Sequence, residues 1–150
     1  MAVIEMNIVI NAPISQVFSF ANDPKRHHEW VPGIVRVEVT PGKAGRVGEV
    51  WTMTYAMGPT RSKTKSTLLE CEENKKIVWA ISGGMMEGKE VQLYEPMGQN
   101  TTRHTLRNEF RLKGFMRILG PLMVPMMKRG FRLGEEKMKR VCEAEAKKPA

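Results

Sequence analysis

The chain has 150 residues, a formal net charge of +8, and 41% hydrophobic against 27% charged residues. That length supports one domain burying roughly two-thirds of its unfolded surface, and the composition is that of an ordinary soluble globular protein. The longest apolar run, 119–127, is cut by prolines and falls far short of the ~20 residues of a membrane-spanning helix. Two cysteines, Cys71 and Cys142, show neither CxxC nor metal-ligand spacing, which argues against a disulfide scaffold and for a reducing cytoplasm. The N-terminal MAVIEMNIVI has no basic region or cleavage site, so no signal peptide is read. The basic residues are spread along the chain without an aromatic-plus-basic motif. They predict a solvated basic surface and no specific nucleic-acid partner.

Residues 2–11 place Ile4, Met6, Ile8 and Ile10 on one side and Glu5, Asn7 and Asn11 on the other, with Val9 an apolar exception on the wet side. This predicts a strand with one dry face. Asn11-Ala-Pro13 opens a short helix whose apolar side is Val17, Phe18 and Phe20, and Asn22-Asp23-Pro24 opens a second that runs to about Trp30. Strand patterns then follow one another. Val35, Val37 and Val39 alternate with Arg36 and Glu38; Trp51, Met53, Tyr55 and Met57 alternate with Thr52 and Thr54. On 61–71, Arg61, Lys63 and Lys65 oppose Ser62, Thr64, Ser66 and Leu68. Ile77, Trp79 and Ile81 end at a Gly83-Gly84 turn; 88–97 is a weaker strand; on 102–112, His104, Leu106, Asn108 and Phe110 oppose Arg103, Arg107, Glu109 and Arg111. Short strands joined by tight turns predict an antiparallel sheet with one wet face.

From Met123 onward, Met123, Met126, Met127, Gly130, Phe131, Gly134, Met138 and Val141 recur at helical spacing, while Lys128, Arg132, Glu135, Glu136, Lys139 and Arg140 form a face expected in water. A long helix with such a stripe needs a partner surface, and the sheet supplies one. Pro125 is expected to break or kink this helix near 120–125, leaving either a movable flap or a rigid bend. The fold class is α+β, one domain over 1–146 with a frayed tail at 147–150.

The stretch INAPISQVFSFANDPKRHHEW, with the later GKAGRVGEVW, the GQNTTRHTLRNEF strand and the proline-bearing entry to the last helix, resembles the SRPBCC (START-like, helix-grip) superfamily, most closely its polyketide cyclase/dehydrase-type branch. The resemblance implies a helix-grip fold: a curved seven-stranded antiparallel sheet around a long C-terminal helix, plus two short helices, with an apolar cavity between. It does not fix chemistry, because the superfamily includes lipid carriers, coenzyme Q-binding proteins and aromatases.

If the charged strand faces point to water, the opposite faces line that cavity. From the strands come Trp51, Met53 and Tyr55; Ser62, Thr64, Ser66 and Leu68; Trp79; and His104, Leu106, Asn108 and Phe110. Phe18 and Trp30 join from the short helices, and Met123, Met126 and Met127 from the lid. Small hydroxyl side chains and adaptable methionines argue for a void; residues at such spacing equally suit a filled core.

His104, with Tyr55 and Asn108, is the candidate for acid–base work, against a satisfied core histidine. His27 and His28, adjacent on an apparently exposed helix, make a poor metal pair, and no third ligand follows. Ser82-Gly-Gly, Cys71 and the glycine turns lack hydrolase, thiol or nucleotide-binding context. No metal or cofactor is expected. Three functions stay open: binding or transport of a small hydrophobic ligand (lipid, quinone or polyketide-like); a polyketide cyclase/dehydratase; and a basic module, through Arg61, Lys63, Lys65, Arg103, Arg107 and Arg111, for an acidic partner or transient contact with an anionic membrane.

Overall fold

A computed structural model describes residues 1–83 and 85–148, with Met57 described by its backbone. Strands β1 (Ala2–Ile10), β2 (Ile34–Val39), β3 (Val50–Met57), β4 (Thr60–Glu72), β5 (Lys76–Gly83), β6 (Met86–Gly98) and β7 (Thr101–Leu112) pair antiparallel in the order β1-β7-β6-β5-β4-β3-β2. Helix α1 (Ile14–Ala21) and a 3₁₀ turn at His27–Glu29 lie between β1 and β2. A second 3₁₀ turn, Gly114–Arg117, leads into the long helix α2 (Gly120–Ala146). This is the expected α+β helix-grip arrangement. Gly84, expected in a turn, and Pro149 and Ala150, expected in the tail, lie outside the described residues.

Three local expectations are corrected. The second short helix shrinks to the single turn at His27–Glu29. Helix α2 is not broken at Pro125: Pro121 sits in the first turn, where its missing N–H needs no partner, and Pro125 forgoes one bond while the helix runs on. Val35 faces outward because the β2–β3 register shifts between Ile34 and Arg36, a bulge that turns one side chain over.

One end of the molecule is filled. Ile10, Val17, Phe20, Leu68, Ile77 and Met138 are buried in one cluster where α1 and the second half of α2 close on the sheet. Two glycines allow backbones to meet. A side chain at Gly88 of β6 would come within 2.1 Å of the Glu109 carbonyl oxygen, and one at Gly134 of α2 within 2.8 Å of the Trp30 carbonyl oxygen. No helix among the described residues is long and apolar enough to cross a membrane.

Candidate functional site

Toward the other end, the inner face of the sheet and the first half of α2 enclose a cavity of about 330 Å³, at the small end of cavities that hold organic ligands. Its floor is built by strand alternation. Trp51, Met53 and Tyr55 of β3 stand beside Ser62, Thr64 and Ser66 of β4 in direct register: Trp51 opposite Ser66, Met53 opposite Thr64, Tyr55 opposite Ser62. Small hydroxyl side chains paired with large ones leave space that a row of leucines would fill. Trp79 packs on Trp51 with ring centroids 5.0 Å apart. The roof is Met123, Met127, Gly130 and Phe131.

Along the far wall runs a buried polar chain to which the lining residues Asn22, Glu90 and Gln92 belong. The His104 ring is bonded through Nδ1 to Glu135 Oε2 at 2.7 Å and through Nε2 to Gln92 Oε1 at 3.1 Å. The same Gln92 oxygen accepts from the Tyr94 hydroxyl at 2.6 Å, and Tyr94 accepts from Asn22 Nδ2 at 3.1 Å. Gln92 Nε2 donates to Glu90 Oε1 at 2.6 Å, and Glu90 reaches the cavity. Burial is the main influence on the Glu90 carboxyl and raises it above the usual range, against the pull of Gln92, His104 and Asn108 toward the charged form. Burial, reinforced by Glu90, also raises the Tyr55 phenol. His27, packed edge-on against Trp30 and Trp51, is lowered by burial to about 4. Among the described residues no group of three or more His, Cys, Asp or Glu side chains is placed to hold a metal ion.

Over residues 1–143 the sequence matches the family model described as polyketide cyclase/dehydrase and lipid transport. The chain belongs to that family. No curated protein matches it. Among solved structures, this cyclase/dehydrase-family chain is similar to the Zhui aromatase/cyclase of Streptomyces sp. R1128, with a TM-score of 0.82 at 12% identity over 96% of this chain and 94% of that one. A Thermus thermophilus protein follows the same path, with a TM-score of 0.80 at 15% identity over 97% and 99% of the two chains. A START superfamily protein of Mycobacterium smegmatis gives 0.70 at 13% identity over 96% of each. At such identities the likeness is one of fold.

Of the residues expected at the cavity, Trp30, Trp51, Met53, Tyr55, Ser62, Thr64, Ser66, Trp79, Leu106, Asn108, Met123 and Met127 line it. Five do not. Phe18 turns onto the Tyr94 ring, 4.9 Å between centroids. Leu68 lies in the filled core. Phe110 is buried over Gly88, its partner across the β6–β7 ladder. Met126 is 67% exposed, one position off the inward stripe. His104 has no exposed surface and both ring nitrogens are engaged; it stands behind the wall and touches no guest.

Two charged or titratable side chains move the other way. Glu135, expected in water, is 2% exposed, because its position shares the buried face with Phe131, Met138 and Cys142. His27, expected on an exposed helix, is buried while its neighbour His28 is exposed. Glu90 and Gln92 were invisible to pattern reading: a strand whose inward residues are polar shows no apolar alternation. The available signal was register, since Glu90 pairs with Asn108, and Tyr94 with His104.

Proposed function

We propose that this family member binds and carries a small hydrophobic molecule in the cavity between the sheet and α2. The observation that carries the reading is the unfilled 330 Å³ space beneath Met123 and Met127, walled largely by aromatic and thioether side chains. Such walls favour an apolar guest with a few polar atoms. The unpaired cysteines Cys71 and Cys142 suit a reducing compartment such as the cytoplasm.

The test is native mass spectrometry of gently purified protein, with Thr64→Phe/Ser66→Phe as the comparison. A bound compound in the original chain, absent from a filled variant of equal or higher melting temperature, supports carriage. An empty original chain that also takes up no added apolar dye would overturn it.

A second reading, a cyclase or dehydratase acting on a bound polyketide, draws support from Glu90 and Tyr55 facing one space with Asn108 opposite Glu90. His104 would then orient that wall through Gln92 and would not itself move a substrate proton. The basic-module reading is weakened on the sheet, where Arg107 pairs with Glu5 and Glu109, and Arg111 with Glu87.

A further inference from the structure

Glu90 is the one carboxylate that lines the cavity, and no lysine or arginine pairs with it among the described residues. Its surroundings fix which of its oxygens can donate. Gln92 Nε2 donates to Oε1. Gln92 is held from turning its oxygen toward Glu90, because that oxygen already receives the Tyr94 hydroxyl and lies 3.1 Å from His104 Nε2. His104 is in turn pinned by Glu135 on α2, and Tyr94 by Asn22. Reversing the amide would break the buried Tyr94 hydrogen bond, which is costly in a low-dielectric interior. Oε1 is therefore the accepting oxygen, and the proton of a neutral Glu90 belongs on Oε2. Across the β6–β7 ladder stands Asn108, whose buried amide acts on Glu90 and offers the cavity almost no surface at Nδ2. The Glu90 Oε2 proton thus faces a largely apolar space whose hydroxyl groups, on Tyr55, Ser62, Thr64 and Ser66, stand on β3 and β4.

We infer that Glu90 Oε2 is the anchoring polar contact of the cavity, and that its ligand is a neutral, mainly apolar molecule whose carbonyl oxygen is seated there. A carbonyl oxygen accepts from that donor. A hydrocarbon would leave it unmet, and a free carboxylate would bury its charge with no lysine or arginine in the lining to meet it. This inference rests on the ligand-binding reading and deepens it.

The contact is pH-dependent. The groups that act on Glu90 are Gln92 on its own strand, His104 and Asn108 on β7 and Glu135 on α2; it acts in turn on Tyr55 of β3 and Tyr94 of β6. Burial prevails and raises the carboxyl, so the donor survives to higher pH than an ordinary glutamic acid would allow and is lost as pH rises through that elevated value.

The experiment uses two neutral fluorophores of similar size. Prodan is an aromatic ketone whose emission moves to the red when its carbonyl accepts a hydrogen bond; N-phenylnaphthylamine has no carbonyl. Both are expected to bind the original chain, with prodan emission redder than in an aprotic apolar solvent. Glu90→Leu should move prodan to the blue and weaken it about tenfold, the worth of one lost hydrogen bond, while N-phenylnaphthylamine binds as before. Raising the pH should move prodan to the blue in the original chain but not in Glu90→Gln, whose amide still donates and does not titrate. This second arm decides the matter if Glu90→Leu fails to fold. Blue prodan emission in the original chain, no prodan binding beside good N-phenylnaphthylamine binding, or a pH response unchanged in Glu90→Gln would overturn the inference and leave the cavity reading standing. Failure of both dyes would remove the cavity reading, and this inference with it.

Discussion

From Gly134 to Ala146 the last helix is fastened on several sides. Gln16 donates to the Cys142 carbonyl at 2.9 Å, the Asn11 amide to Glu143 at 2.8 Å, and Lys139 to the Val9 carbonyl at 2.8 Å. Arg26 pairs with Glu145, and Glu135 reaches down to His104. Between Gly120 and Leu133 the same helix makes no side-chain hydrogen bond or ion pair among the described residues. There Leu122 and Met126 face outward, each 67% exposed, while Met123 and Met127 hang over the cavity. One half is bolted to a solid core and the other is a canopy over a hollow. A helix can therefore be anchored at one end without its other end having to fill the space it covers, and that separation lets stability and binding reside on different turns of one element.

The sharpest way to break this comparison is to remove the deepest bolt. Glu135→Ala would leave His104 buried with one nitrogen unpaired, and loss of one partner from a buried pair costs about 3–5 kcal/mol. Denaturant unfolding should show that loss, while Glu136→Ala, at an exposed position, should stay within about 0.5 kcal/mol. Equal, small effects would mean that the pair does not anchor the helix. Methionine truncations then grade the two halves. Met138 has no exposed surface and sits in the filled cluster, so Met138→Ala should cost about 2–5 kcal/mol. Met127 already borders a void, and its truncation enlarges the space without creating a new one; about 1 kcal/mol or less is expected. Matching costs would erase the distinction between bolt and canopy.

The solid half was the more legible of the two. Alternation on 2–11 and 102–112 set both strand faces, and helical spacing from Phe131 to Val141 set the packed stripe, because burying apolar side chains is what those periods record. The cavity floor could be read from Ser62, Thr64 and Ser66, small groups where a filled core would put large ones. The polar chain could not. Glu90, Gln92 and Glu135 carry labels that pattern reading assigns to water, and only cross-strand register and the seating of α2 bring them to His104. Met126 failed for a related reason: near its free end the helix is apolar on both faces, so composition no longer tells inside from outside.

Acid should find the seam between the two halves. His27 lies there, edge-on to Trp30 and Trp51 and against the cavity. Burial lowers it to about 4 from an ordinary 6.5, outweighing the Ala21 carbonyl, which favours the charged ring. With the folded-state value depressed, the unfolded chain binds the proton first. Stability should hold above about pH 6.5, fall between there and about 4, and level off below as far as this group is concerned. The loss is at most about 3 kcal/mol. His27→Phe keeps an aromatic ring against both tryptophans and has nothing to protonate, so its unfolding free energy should run flatter across that window. The difference between the two profiles isolates His27 from carboxylates that titrate further into acid. A parallel pair of curves would mean that the ring is already open to water, and that the wall at Trp30 and Trp51 is looser than the packed half of α2 beside it.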